Sequence, residues 1–207
     1  EIQQWGNLSL GNFAGYFYGC ENLQITATDI LNLTGTESLA LCFYNCYNIS
    51  SIPNINLWDV SHVTSMNSLF FNVYLFNESL DLWNVSNVET MWGMFYGAES
   101  FNQNINTWDV SNVLYMGNMF HYSTNFNEPL DNWDVSNVRD MSYMFSNAES
   151  FNQDLGAWNV ANVEDMTNMF KNTNEFNQNI ELWDVSNVTD MSYMFYNSQL
   201  FNQSLNA

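Results

Sequence analysis

The stretch FNQDLGAWNVANVEDMTNMF, residues 151–170, decides the fold because its pattern recurs every 25 residues. Each copy has a tryptophan, valines two and five residues later, and a Met-x-x-Met-Phe segment. A Phe-Asn pair separates one copy from the next. The tryptophans at this spacing are Trp58, Trp83, Trp108, Trp133, Trp158 and Trp183. Self-similarity at a fixed period predicts a solenoid whose successive turns stack and bury their apolar side chains between them.

The spacings within one unit predict its local structure. Trp158 and Val160 are two residues apart, which is the side-chain period of a β-strand. The apolar residues from Val163 to Phe170 follow at intervals of three, three and one, as on one face of a helix. A Ser or Ala precedes this segment, and a Ser there can cap a helix. We therefore predict an α/β repeat solenoid with one short parallel strand and one short helix per turn.

The repeat extends over nearly the whole chain and predicts one domain, residues 1–207. Residues 58–207 form six regular 25-residue units, of which the last leads into an open end. Residues 1–57 hold two divergent turns, in which Trp5 and Phe17 have the spacing of Trp58 and Phe70. Terminal repeats are often atypical. The total is about eight turns of roughly 25 residues.

The Trp-Asp-Val-Ser-Asn-Val…Met-x-x-Met-Phe motif resembles the bacterial surface protein repeat of the BspA-like leucine-rich-repeat proteins. This resemblance implies a right-handed superhelix of the leucine-rich-repeat type. It also implies an exported protein, often a lipoprotein or wall-attached protein, with an adhesive role. The first two turns depart from the motif, since Leu31 stands where a tryptophan is expected.

Composition excludes several classes of partner. Acidic residues number 22 against two basic ones, Arg139 and Lys171, for a net charge of −20. Such a chain lacks the cations that bind nucleic acid or anionic lipid. There is also no run of 18 apolar residues, so we expect no transmembrane segment in this chain.

The residue after each tryptophan is predicted to point away from the core. Stacking would place these residues in one acidic column about 5 Å apart on an exposed strand face. Calcium could bridge neighbouring carboxylates, although no dedicated calcium loop is visible, and the alternative is a solvated face without metal or cofactor. The column consists of Asp59, Asn84, Asp109, Asp134, Asn159 and Asp184.

Two further sets of side chains stand out. Aromatic residues on the helix side form a candidate contact surface for protein or glycan, unless they pack under return loops: Phe71, Trp92, Tyr96, Tyr143, Tyr193 and Tyr196. The asparagines of the Phe-Asn pairs predict a structural ladder that bonds the backbone of adjacent turns: Asn77, Asn102, Asn127, Asn152, Asn177 and Asn202.

Three cysteines lie in the divergent turns. Cys20 and Cys46 occupy one column within disulfide reach, Cys42 could compete for Cys46, and the alternative is three small buried thiols. Sequons mark seven candidate glycosylation sites, which an asparagine-rich chain also produces by chance: Asn7, Asn32, Asn48, Asn77, Asn84, Asn187 and Asn202.

No catalytic constellation is apparent. His62 and His121 lie in unrelated columns, and the carboxylates are repeated rather than unique. We expect a non-catalytic extracellular or cell-surface protein that presents a repeated binding surface for adhesion to protein or glycan. The rival hypothesis is a structural subunit whose copies stack end to end into a filament or coat.

Overall fold

In the computed structural model, which describes residues 1–205, the chain runs through a stack of eight coils. Neighbouring coils are parallel and in register, so that residues about 25 positions apart lie side by side. We number them coils 1 to 8, comprising residues 5–30, 31–57, 58–82, 83–107, 108–132, 133–157, 158–182 and 183–205. The parallel bridges of the regular part join Ser38, Ser65, Thr90, Tyr115, Asp140, Asp165 and Asp190 in succession.

Backbone hydrogen bonds alternate between two directions after each bridge. In coil 4, the N–H groups of Met91, Gly93 and Phe95 donate to carbonyls of coil 5 at 2.9–3.0 Å. The intervening N–H groups of Met94 and Tyr96 donate to carbonyls three residues back, both at 3.1 Å. One set of bonds joins the coils and the other closes β-turns within a coil.

The predicted α/β fold of the leucine-rich-repeat type, with a strand and a helix in every turn, is wrong. Within residues 1–205 the one helix is the 3-10 helix Ile55–Leu57, and the strand pairing consists of isolated bridges without a sheet. In coil 7 the expected helix contains Asn168 and Asn172, whose φ angles of 57° and 55° interrupt any right-handed helix.

Tandem β-turns explain why the sequence imitates a helix. A β-turn brings residues i and i+3 close together, so a series of turns places apolar residues at intervals of three on one side. Met91 and Met94 are the ends of such a turn. Its third residue, Gly93, has φ 60°, as a type II turn requires.

The predicted strand is also misplaced. Trp158 and Val160 are buried but lie outside any bridge, and coil 7 pairs through Asp165 instead. Pairing is limited to single residues because the N–H groups beyond the bridge serve turns and neighbouring coils alternately.

The predicted interior columns are present. The tryptophan, valine, methionine and phenylalanine side chains of coils 3–7 are at most 3% exposed. Trp83 and Trp108 stack with ring centroids 6.4 Å apart, and Phe95 and Phe120 stack at 5.7 Å. One hydrophobic cluster extends from Trp5 to Met194.

Each regular tryptophan also ties its coil to the preceding one. The indole N–H of Trp133 donates to the carbonyl of Ile105 at 3.0 Å, and the other tryptophans of coils 4–8 repeat this bond. The buried indole N–H of Trp58, where the regular units begin, has no partner among the described residues.

Trp58 therefore provides a matched control for the indole hydrogen bond. We expect Trp133→Phe to lower the free energy of unfolding by about 1–3 kcal/mol more than Trp58→Phe. Both variants lose the same volume, but Trp133→Phe removes a bond, whereas Trp58→Phe removes an unsatisfied donor. Urea denaturation followed by far-UV circular dichroism measures the difference, and equal costs would show that the bond contributes nothing.

Candidate functional site

The acidic column lies on the surface in loop segments, not on the predicted strand face. The Asp59 carboxylate accepts from the backbone N–H of Ser61 at 3.1 Å and from its hydroxyl at 2.6 Å. These serines therefore serve Asx-type turns and do not cap helices. All six members are exposed: Asp59, Asn84, Asp109, Asp134, Asn159 and Asp184.

Hydrogen bonds set the electrostatics of this column. The serine hydroxyl, and after it the serine N–H, lowers the pKa of the carboxyls of Asp59, Asp134 and Asp184. The column is therefore fully ionised at neutral pH at these positions. Among residues 1–205, no three His, Cys, Asp or Glu side chains gather to hold a metal ion. Calcium bridging of the column remains a prediction.

The asparagines of the Phe-Asn pairs form hydrogen bonds from coil to coil. The backbone N–H of Asn152 donates to the side-chain oxygen of Asn127 at 2.9 Å, and the amide of Gln153 donates to the same oxygen at 2.9 Å. The same backbone bond joins Asn77, Asn102, Asn127, Asn152, Asn177 and Asn202 in succession.

A second asparagine ladder was missed at the sequence level. The amide of Asn137 donates to the carbonyl of Ser111 in the preceding coil at 2.8 Å. The signal was an asparagine recurring directly before the second valine of each unit. The full set is Asn87, Asn112, Asn137, Asn162 and Asn187, with bonds of 2.6–2.8 Å.

Beside this second ladder runs a shallow polar groove. It consists of two depressions of about 580 and 530 Å³ that share Leu114. Glu89 lines the first depression, and Arg139 and Glu164 line the second. The groove offers amide and charged groups along several coils, which suits hydrogen bonding to an extended polar ligand.

Four aromatic side chains form a continuous row across coils 1–4, which we call the aromatic row: Tyr18, Tyr44, Phe71 and Tyr96. Their rings stack nearly parallel, with centroids 4.6, 4.4 and 4.0 Å apart. Tyr18 is 55% exposed and the other three are partly buried. Because stacking covers the ring faces, the row presents mainly ring edges and tyrosine hydroxyls to solvent.

The structure brings together only part of the predicted aromatic surface. Phe71 and Tyr96 belong to the aromatic row, whereas Tyr143 stacks on His121 at 5.5 Å. Tyr193 and Tyr196 form a separate exposed edge-to-face pair in coil 8, with centroids 5.9 Å apart. Trp92 is partly buried in another column. Since no helix supports these residues, the description as a helix side is wrong.

His121 continues the aromatic row in coil 5. Its ring contacts Tyr96 edge-on at 4.8 Å and stacks on Tyr122 at 4.4 Å. One ring nitrogen bonds Asn118 at 3.0 Å and the other faces the amide of Asn147 at 3.2 Å. Burial, with a smaller contribution from Lys171, lowers the pKa of the imidazole to about 4. His121 is therefore neutral in the folded protein at pH 7.

All three cysteines are free thiols in the structure. Cys42 and Cys46 are buried and Cys20 is exposed, so the alternative of three buried thiols holds for two of them. The sequon asparagines, whose glycosylation remains a prediction, are all exposed: Asn7, Asn32, Asn48, Asn77, Asn84, Asn187 and Asn202.

The buried histidine predicts a specific pH dependence of stability. The unfolded state binds the proton near pH 6.5 and the folded state only near pH 4, so stability falls as the pH decreases through that window. We expect His121 to contribute a slope of about 1.4 kcal/mol per pH unit there. His121→Asn should remove this part of the slope, and His62→Asn serves as the control. Denaturant unfolding at several pH values measures it; an unchanged slope in His121→Asn would contradict the assignment.

Comparison with known proteins followed from this repeat. Within residues 1–205, no helix has the length and apolar character needed to cross a bilayer. No curated protein matches the chain. A family described as "Mycoplasma protein of unknown function, DUF285" matches residues 37–150 and 125–207, two overlapping ranges in the repetitive part of the chain. The chain therefore belongs to the DUF285 family of repeat proteins.

Proposed function

We propose that this protein is a non-catalytic binding module of the bacterial cell surface that contacts protein or glycan through the aromatic row. The observation that carries the proposal is the row itself, four stacked and partly exposed rings on the outside of coils 1–4. Exposed aromatic clusters are typical of contact surfaces, where one part of each side chain is apolar and another can form hydrogen bonds.

The fold alone does not require the row. At the same column, coils 6 and 7 carry Ser146 and Lys171, yet these coils have the same inter-coil hydrogen bonds and buried interior. The interior columns, in contrast, keep their residue types throughout the regular coils. A feature confined to coils 1–4 and unnecessary for stacking supports a role in binding.

Rigidity of the row favours affinity. Phe71 lies between Tyr44 and Tyr96 with centroid distances of 4.4 and 4.0 Å, so its ring is fixed before any partner arrives. Preorganised aromatic side chains lose little conformational entropy on binding, and tyrosine supplies both apolar area and a hydroxyl. The hydroxyls of Tyr18, Tyr44 and Tyr96 would contribute specificity.

Kinship with BspA-like surface proteins is part of this proposal. The sequence motif supports it, whereas the leucine-rich-repeat architecture plays no part, since the structure excludes a strand and helix in each coil. An exported location is consistent with the exposed sequon asparagines and the acidic surface, with its net charge of −20.

End-to-end assembly is the second candidate, and one observation favours it. Coil 8 leaves Met191 40% and Leu205 54% exposed, whereas the methionines of coils 3–7 are fully buried. The two side chains border an apolar depression of about 210 Å³ that also includes Trp183 and Phe195. Such a face could receive a coil from another copy.

The binding proposal is tested by removing the rings while keeping the coils. We expect the triple variant Tyr44→Ser, Phe71→Ser and Tyr96→Ser, which copies the residue of coil 6, to lose at least about tenfold in affinity. The probes are immobilised extracellular matrix proteins and an array of complex glycans, with surface plasmon resonance on those that bind.

The control carries Tyr193→Ser and Tyr196→Ser, which remove exposed rings outside the row, and should bind as the wild type does. Far-UV circular dichroism confirms folding, and sedimentation velocity of the same samples separates binding from self-association. No binding to either class of probe, or equal binding by the triple variant, would refute the role of the row. Concentration-dependent polymers without probe binding would favour assembly.

A further inference from the structure

The stacking of coils 1 and 2 places two cysteines side by side. Cys20 and Cys46 are 26 residues apart, the same offset as Phe17 and Phe43, whose ring centroids are 5.5 Å apart. The N–H of Gly19 donates across the same interface to Tyr44 at 2.8 Å. Neighbouring coils at this spacing bring the Cα atoms of one column within the range that a disulfide spans, about 4.4–6.8 Å.

A shared hydrogen-bond acceptor fixes the two residues against each other. The carbonyl of Phe17 accepts from the backbone N–H of Cys20 at 3.1 Å and from the thiol of Cys46 at 3.0 Å. The Cys46 sulfur and the Cys20 backbone nitrogen are therefore both within hydrogen-bond distance of one oxygen. The Cys46 side chain points toward the coil that carries Cys20, and away from solvent.

The two thiols differ in accessibility. Cys20 is exposed, whereas Cys46 is fully buried. Burial raises the pKa of the Cys46 thiol to about 12, so Cys46 is protonated and inert toward reagents in solution. Cys42 is also buried, and burial raises its pKa as well. Only Cys20 can react first.

We propose that Cys20 and Cys46 form a thiol–disulfide exchange site for low-molecular-weight disulfides, with Cys20 as the entry thiol and Cys46 as the resolving thiol. The Cys20 thiolate attacks a disulfide RSSR, forming a Cys20–SR mixed disulfide and releasing RS⁻. Cys46 then loses its proton to solvent and attacks the Cys20 sulfur, which releases the second RS⁻ and closes the Cys20–Cys46 bond. Two protein thiols are oxidised, RSSR is reduced to two RSH, and no other oxidant is needed.

The bond would link the two irregular coils covalently. These coils lack the tryptophan hydrogen bond of the regular part, since the indole N–H groups of Trp5 and Trp58 have no partner in the described residues. A disulfide closing this loop restricts the unfolded chain and so stabilises the stack where its hydrogen bonding is weakest. This inference is independent of the partner bound by the aromatic row.

Native protein exposed to oxidised glutathione, with mass spectrometry of intact and digested samples, tests the proposal. The wild type should lose two hydrogen atoms and yield a Cys20–Cys46 peptide pair. Cys46→Ser should accumulate a stable glutathione adduct on Cys20, Cys20→Ser should show neither product, and the control Cys42→Ser should behave as the wild type. Circular dichroism verifies that each variant is folded.

Three outcomes would overturn it. One is a wild-type disulfide or adduct that includes Cys42. Another is a wild-type protein that keeps glutathione on Cys20 without closing the internal bond. The third is unaltered reactivity in Cys20→Ser.

Discussion

The register of hydrogen bonds between coils is the constraint on which the rest of the structure depends. Every second N–H group after the bridge donates to the next coil, which holds residues 25 positions apart side by side. With that register fixed, one tryptophan lies over another and each indole reaches a carbonyl of the preceding coil. Without it, a single coil has no interior, because its apolar side chains find partners mainly in the coils above and below.

The same register arranges the surface. Any residue type repeated in the sequence becomes a row, and any irregularity becomes a local feature of a few coils. The acidic column and both asparagine ladders are products of repetition, and most of their polar atoms bond within the fold. The aromatic row and the Cys20–Cys46 pair are irregularities, and for that reason they are the positions to which we assign binding and chemistry.

The interior columns could be predicted from the period alone, since stacking makes every recurring apolar residue a neighbour of its copies. Local structure could not, because tandem β-turns and helices both place apolar residues three apart. One signal was available: coil 4 has Gly93 and Gly97 where coil 7 has Asn168 and Asn172. Gly and Asn in one column indicate a left-handed backbone, which these positions adopt.

Prediction of the surface succeeded in part. The sequence indicated which asparagines and carboxylates share a column, but not that Asp59 would bind its own Ser61. It identified Phe71 and Tyr96 as outward-facing but missed their stacking partners Tyr18 and Tyr44, which lie in the divergent coils. The irregular spacing there, 26 and 27 residues in place of 25, concealed the column to which these tyrosines belong.

Anomalous scattering from crystals of the selenomethionine-labelled protein tests the stacked register most directly. We predict that the 11 selenium atoms form two parallel rows, with neighbours in each row separated by one coil spacing of about 5 Å. The first row comprises Met66 and its copies, and the second comprises Met94 and its copies. Selenium positions scattered without a constant spacing, or distributed between separate cores, would contradict the account.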